Sequence, residues 1–181
     1  MASITSTNRE GALEVMTHLI EQGHERIGFI GGREGLESAK RRLVGYKDGL
    51  AAAAIRFDES LVEIGDFTAE TGAILAKRLL SLPERPTAIF AANDTTAMGV
   101  LEAAAEMNLS VPDDLSLVGF DNTPEAQLSN PPITTVDQAV SEMGYMATIK
   151  LVQLINQEAK PGEVLKVQTR LIERSSIKRI N

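Results

Sequence analysis

Short apolar runs alternate with longer amphipathic segments along most of the chain. Four runs have strand length and lie at 26–30, 61–65, 87–92 and 115–119. Between the first two runs, apolar residues at 39, 43, 46 and 50 recur at helical spacing. Alternation of this kind predicts an α/β fold in which helices flank a parallel sheet with right-handed crossovers.

Both ends of the chain depart from this alternation. Thr7 and Glu10 fit a capping box before a helix that Gly23 would end. After Asp121, residues 129–136 predict an extended connection, and a helix follows over about 138–157. The apolar stripe of that helix consists of Val140, Met143, Ala147, Leu151, Leu154 and Ile155. Residues 165–171 alternate as one strand.

Polar and aromatic side chains follow the predicted strands. In chain order they are Arg42, Phe67, Asn93, Asp94, Asp121, Asp137 and Gln138. Open α/β sheets bind ligands at the carboxyl edge of their strands, so we expect these side chains around one cleft. Carboxylate, amide and guanidinium groups beside a flat ring suit a polyol, because they accept from and donate to hydroxyls.

Each of these residues also has a structural interpretation. Asn93 or Asp94 could cap the following helix, and Asp121 could form only an Asx turn with Asn122. Taken alone, Phe67 is more typical of a core, and an arginine on a helix is more typical of a solvated face. Their joint placement at the strand ends favours a binding site.

Charge and composition exclude several classes of function. The net charge is −7, and the 159 residues before position 160 carry 12 basic against 23 acidic side chains, so this chain by itself should not bind DNA. The basic segment 160–181 is interpreted as a solvated strand edge. With no cysteine and two histidines, we expect no disulfide, metal or cofactor. Neither a signal peptide nor a membrane-spanning run occurs, so we expect a cytoplasmic protein with no membrane partner.

Nucleotide binding and catalysis find no support in the motifs. Glycines at 28, 31, 32 and 35 follow a strand, but their spacing matches neither GxGxxG nor GxxxxGK[ST]. There is no GxSxG elbow, and neither histidine lies near a candidate nucleophile. An α/β enzyme would need a catalytic constellation that this sequence does not offer.

Several segments together resemble the effector-binding domain of the lactose-repressor and galactose-repressor family of bacterial transcription regulators. They are 7–32, 38–50, 88–123, 131–138 and 171–177, and they contain the motifs AND, GFD and PPITTV. The resemblance implies a periplasmic-binding-protein-like fold with a sugar, sugar derivative or nucleobase in the cleft between two subdomains. By position it implies effector contacts at Arg42, Phe67, Asn93, Asp121 and Gln138, with Ser38 and Asp94 as further candidates.

The same resemblance implies a domain organisation and an assembly. Residues 1–134 would form the C-terminal subdomain, 135–160 a crossover and helix of the N-terminal subdomain, and 161–181 a return strand. The family's helix-turn-helix module and most of its N-terminal subdomain are absent, so we expect a piece of a longer protein. Thr7 stands where the family has Asp. The implied homodimer surface comprises Met98, Leu101, Glu102, Ala105, Ala126 and Leu128.

These observations favour an effector-binding and dimerisation domain of a transcription regulator that is not an enzyme. Operator DNA would be bound only through the absent module. The alternative is a periplasmic-type sugar-binding protein of the same fold. The upstream coding sequence would discriminate the two, since a helix-turn-helix supports regulation and a signal peptide supports transport.

Overall fold

The structure is a computed structural model that describes residues 3–158 and 162–180. The strands are β1 (Ser3–Ser6), β2 (Ile27–Gly31), β3 (Val62–Ile64), β4 (Ala88–Ala91), β5 (Ser116–Val118), β6 (Thr135–Asp137), β7 (Val164–Val167) and β8 (Arg170–Ile172). The helices are α1 (Asn8–Glu21), α2 (Glu37–Ala52), α3 (Ala69–Leu80), α4 (Asp94–Glu106), α5 (Pro124–Leu128) and α6 (Val140–Ile155). None of the helices in the described ranges has the length and apolar character that a bilayer crossing requires.

The main sheet is parallel and has the strand order β3-β2-β4-β5. Successive side chains of each strand point to opposite faces, and each face has its own apolar core. Phe29 and Phe90 pack beneath α1 and α2, whereas Ile30 and Ile89 pack beneath α3 and α4. The predicted α/β fold with helices on both faces of a parallel sheet is confirmed.

A smaller unit lies outside this sheet. β1 pairs in parallel with β7, and α6 packs on β1. A separate antiparallel pair joins β6 to β8. The single strand predicted over 165–171 is therefore wrong, because the chain divides at 168–169 between two sheets. The boundaries 1–134, 135–160 and 161–181 stay a prediction, and these pairings associate β1 and β7 with α6.

The capping box predicted at the start of α1 is wrong for an identifiable reason. Thr7 precedes α1 but makes no side-chain capping bond. Its hydroxyl instead accepts from the Thr169 backbone N–H at 2.9 Å, a contact between residues far apart in sequence. In α5, by contrast, the first turn is capped by the Thr123 hydroxyl, which accepts from the Ala126 N–H.

The apolar stripe of α6 is largely uncovered in this chain. Val140, Leu151 and Ile155 are 62%, 59% and 69% exposed, and Lys150 is the one residue of α6 that is buried. This helix is therefore poorly buried within one chain. A face of this kind favours contact with further protein surface.

Candidate ligand-binding site

Arg42 lies at the centre of the polar residues that follow the strands. Its side chain extends from α2 and is almost fully buried, with the guanidinium carbon 3.8 Å from the centre of the Phe120 ring. Nη1 donates to the carbonyl oxygen of Ala92 and lies 3.4 Å from Oδ1 of Asp121. The arginine therefore joins α2 to the ends of β4 and β5.

The Arg42–Asp121 pair is charged but poorly solvated. Burial raises the pKa of Asp121 to about 6, against the opposing effect of Arg42, and burial likewise lowers the pKa of Arg42 to about 10. Both groups are ionised at neutral pH. Perturbed pKa values of this kind cluster at functional sites, where a partly desolvated charge is kept for a ligand.

The backbone at Asp121 is held in an unfavourable conformation. Asp121 has φ 125° and Asn122 has φ 58°, values that are uncommon for residues other than glycine. Arg174 supports this turn, since its guanidinium donates to Oδ1 of Asn122 at 2.6 Å and to the Ile133 carbonyl at 2.7 Å. Backbone strain that the surrounding structure maintains is typical of ligand-binding turns.

Asn93 both caps a helix and reaches toward Phe67. Its Oδ1 accepts from the Thr96 N–H at the start of α4, and its Nδ2 donates to the Phe67 carbonyl at 3.2 Å. Phe67 has φ 74°, and its ring covers Gly32 so closely that a Cβ there would overlap it. Its centroid lies 6.0 Å from the Arg42 guanidinium carbon. The capping and site interpretations of Asn93 are thus compatible.

Asp94 is fully buried and its two carboxylate oxygens are engaged inside the chain. Oδ1 accepts from the Thr135 hydroxyl at 2.5 Å, and Oδ2 accepts from the Thr123 N–H at 2.8 Å. Burial raises its pKa. A ligand contact at Asp94 does not fit this geometry, and the carboxylate instead joins α4 to the strand-end loops.

Gln138 reaches Asp121 because residues 134–137 run parallel beside β5. Its Nε2 donates to Oδ1 of Asp121 at 2.5 Å. Ser38 is half-buried one helical turn before Arg42. Oδ1 of Asp137 accepts from the Ala139 N–H at 2.8 Å, which forms an Asx turn before α6.

Two further residues of this site, Ser6 and Asn8, were not predicted from the sequence. The Ser6 hydroxyl donates to Oε1 of Gln138 at 2.8 Å, and Oδ1 of Asn8 accepts from Nε of Arg42 at 2.9 Å. Their position depends on the pairing of β1 with β7, which no local pattern indicates.

Some hydrogen-bond donors and acceptors of this cluster have no partner within residues 3–158 and 162–180. Nη2 of Arg42 and Oδ2 of Asp121 make no hydrogen bond there, and Nδ2 of Asn93 uses one of its two hydrogens. One donor group, one acceptor and one further amide hydrogen are thus unused among the described residues, and the guanidinium carbon of Arg42 lies 6.0 Å from the centre of the Phe67 ring. A hydroxyl that accepts from the guanidinium and donates to the carboxylate would satisfy both.

A cavity of about 390 Å³ opens beside this cluster, between residues 31–36 and the start of α2. Its walls include Leu36, Leu43 and Ile64, whereas Arg42, Asn93 and Asp121 do not line it. The charged cluster therefore lies outside this cavity, and it reaches solvent through Asp121, whose side chain is 28% exposed.

The surface predicted for dimerisation is partly available. Glu102, Ala105 and Leu128 are exposed, Leu128 by 83%, while Met98 and Leu101 are half-buried. Ala126 is fully buried in the core beneath α4, so its side chain offers no surface to a second copy. That residue is a correction to the predicted set, and the other five stay a prediction.

Comparison with known proteins agrees with this architecture. A periplasmic binding protein-like domain matches residues 16–177. The repressor PurR of Shigella sonnei is 40% identical over 168 residues, covering 93% of this chain and 49% of the repressor. The chain spans about half the length of the curated relatives it matches.

Solved structures of regulators have the same fold. A putative LacI regulator from Bacillus cereus superposes with a TM-score of 0.95 and 31% identity, over 100% of this chain and 64% of that one. The complex of the regulator CelR with cellobiose gives a TM-score of 0.92 and 34% identity, over 97% and 54%. The resemblance to the effector domains of lactose-repressor and galactose-repressor regulators is therefore confirmed, and the chain belongs to the family of periplasmic binding protein-like domains.

Proposed function

We propose that this chain is the effector-binding and dimerising part of a bacterial transcription regulator, and that its effector is a sugar or a related hydroxyl-rich molecule. The observation that carries the proposal is the charged Arg42–Asp121 pair, in which Arg42 is buried and Asp121 is partly exposed. Among residues 3–158 and 162–180, Nη2 of Arg42 and Oδ2 of Asp121 have no hydrogen-bond partner. The matched relatives are transcription repressors, which favours regulation over sugar transport and over enzymatic activity.

In the whole protein, effector binding would alter the affinity of a separate helix-turn-helix module for operator DNA. A ligand shifts such an equilibrium only by its different affinity for the two states. Asp121 and Gln138 belong to different parts of the fold, so a ligand at Asp121 contacts the boundary where a change of angle would occur. The regulator would act in the cytoplasm as a homodimer.

Calorimetry with a panel of ribose, glucose, cellobiose and nucleosides tests the binding step. We expect modest affinity from this chain, because cleft ligands bury about 70–90% of their surface between two walls and the α6 side is uncovered. Asp121→Ala should weaken the bound member of the panel by about tenfold to a hundredfold, the value of a charge-assisted hydrogen bond of about 1.5–3 kcal/mol.

Asp113→Ala is the matched control, since Asp113 is an exposed aspartate paired with Lys178 away from the site. Equal affinity of wild type and Asp121→Ala would remove Asp121 from the site. In the whole protein, an Asp121→Ala variant that still released operator DNA on adding effector would overturn the proposed role.

A further inference from the structure

Five polar side chains form a closed ring of hydrogen bonds. Nε of Arg42 donates to Oδ1 of Asn8 at 2.9 Å, and Nδ2 of Asn8 donates to the Ser6 hydroxyl at 3.0 Å. Ser6 donates to Oε1 of Gln138 at 2.8 Å, and Nε2 of Gln138 donates to Oδ1 of Asp121 at 2.5 Å. Nη1 of Arg42 closes the ring on that same oxygen at 3.4 Å.

The chemistry of its two charged members fixes the direction of every bond in the ring. A guanidinium can only donate, and an ionised carboxylate can only accept. The Asn8 amide must therefore present its oxygen to Arg42, and the Gln138 amide must present its nitrogen to Asp121. Ser6 is left with one arrangement, accepting from Asn8 and donating to Gln138. Two arms of the ring join Arg42 to Asp121: the direct bond, and the path through Asn8, Ser6 and Gln138. Along both arms, each bond is donated in the direction from the cation to the anion.

This polarity determines what Asp121 can offer to a ligand. Oδ1 receives both arms of the ring, whereas Oδ2 has no hydrogen bond among residues 3–158 and 162–180. Because bonds to the ionised form favour ionisation, the Gln138 amide helps to keep the carboxylate charged despite its burial. The ring also connects distant elements, since Ser6 pairs with Val167 in the small sheet.

We propose that Ser6, Asn8 and Gln138 are positioning residues that hold Asp121 as a carboxylate with Oδ2 presented to a hydroxyl of the ligand. The inference rests on the proposed function and deepens it, because selectivity for hydroxyl donors then depends on side chains that do not touch the ligand. It also reassigns Gln138, predicted as an effector contact, to a residue that acts through Asp121.

Other charged groups near Asp121 must stay constant in a test of this ring. They are Arg42 on α2, Asp94 at the start of α4, Asp137 on β6 and, through Asn122, Arg174. None of them is changed in the variants below. A shift in the titration of Asp121 would therefore report the loss of ring bonds.

NMR titration of the Asp121 carboxyl carbon in the ligand-free chain is the decisive experiment. Gln138→Met keeps the length of the side chain but removes the amide, and it should raise the pKa of Asp121 by about one unit. Ser6→Ala should raise it by less, because the Gln138 amide stays but loses its orientation. In the Gln138→Met background, Ser6→Ala should add nothing, since its effect passes through the amide.

Thr5→Ala is the control, because the Thr5 hydroxyl lies on the same strand at 3.4 Å from the Ser6 carbonyl and takes no part in the ring. An unchanged Asp121 titration in both Ser6→Ala and Gln138→Met would overturn the proposal. So would equal shifts from Ser6→Ala in the two backgrounds. Ser6→Ala alone decides the matter if Gln138→Met does not fold, because absence of any shift there contradicts the ring.

A second measurement separates this inference from the proposed function. For whichever of ribose, glucose, cellobiose or a nucleoside binds, the midpoint of the fall in affinity at low pH should move upward in Gln138→Met with the Asp121 titration. If no compound of the panel binds, the proposed function loses its support. The NMR titration of Asp121 still tests the positioning role of the ring in that case. A bound compound whose pH profile stays at the wild-type midpoint counts against the positioning role.

Discussion

Asp121 should make the folded protein less stable as the pH rises, and Asp121→Asn should remove that effect. Burial raises the pKa of this carboxyl from an ordinary 3.8 to about 6 in the folded chain. The folded state then binds the proton more tightly than the unfolded state. The stability that this proton confers is complete below about pH 4 and is lost as the pH rises through about 6.

The size of the effect follows from the shift. At about 1.36 kcal/mol per pKa unit, the loss of unfolding free energy between pH 4 and pH 7 reaches up to about 3 kcal/mol. This is an upper bound, because 28% of the Asp121 side chain reaches solvent and screening reduces the penalty. Arg42 keeps its charge over this range, so its loss of a partner in Asp121→Asn adds only a constant offset.

Urea unfolding followed by circular dichroism, at steps from pH 4.0 to 7.5, measures the difference between the two proteins. The unfolding free energy of Asp121→Asn relative to wild type should increase with pH by about 2–3 kcal/mol. Asp113→Asn, at an exposed ion pair, should change by less than about 0.5 kcal/mol over the same range. Parallel pH curves for wild type and Asp121→Asn would show that burial does not penalise this charge.

Three further predictions concern assembly, the histidine and helix packing. Light scattering should show a dimer that Leu128→Glu weakens, and a monomeric wild type at tens of micromolar would contradict this. Burial lowers the pKa of His24, so the wild type should lose unfolding free energy as the pH falls below about 6.5. In urea unfolding, His24→Gln should lack this part of the pH dependence. Gly99→Ala should lower the free energy of unfolding by about 2 kcal/mol or more in thermal unfolding, because the new Cβ would overlap the Ala69 carbonyl. Gly144→Ala has open space around it and should be neutral or stabilising by up to about 1 kcal/mol.

The site residues that could be predicted from the sequence are those that directly follow a strand of the main sheet. Parallel strands deliver the residues that follow them to one edge, so Asn93 and Asp121 could be placed near each other from their distance to an apolar run. Arg42 was grouped with them because it follows the first predicted strand along the chain. The same local patterns predicted the four strands of the main sheet to within one or two residues.

Contacts between residues far apart in the chain could not be predicted from local patterns. Ser6 and Asn8 enter the site because β1 pairs with β7, and the register of those strands joins residues about 160 positions apart. The Thr7 hydroxyl bonds to Thr169 instead of capping α1, so a tertiary contact replaces the local one. Ala126 was placed on the dimer surface by resemblance to the family, whereas the five-residue helix α5 turns its side chain into the core.

The one-way order of donors in the ring has an evolutionary consequence. A residue at position 6 that cannot donate leaves the amide oxygen at position 138 unpaired, and a carboxylate at 138 would face the one at 121. A single substitution at one of these positions therefore costs a hydrogen bond of the ring, so we expect relatives to show the positions changing together more often than singly. Lineages that replace the whole set would be those whose effectors no longer require a hydroxyl acceptor at position 121.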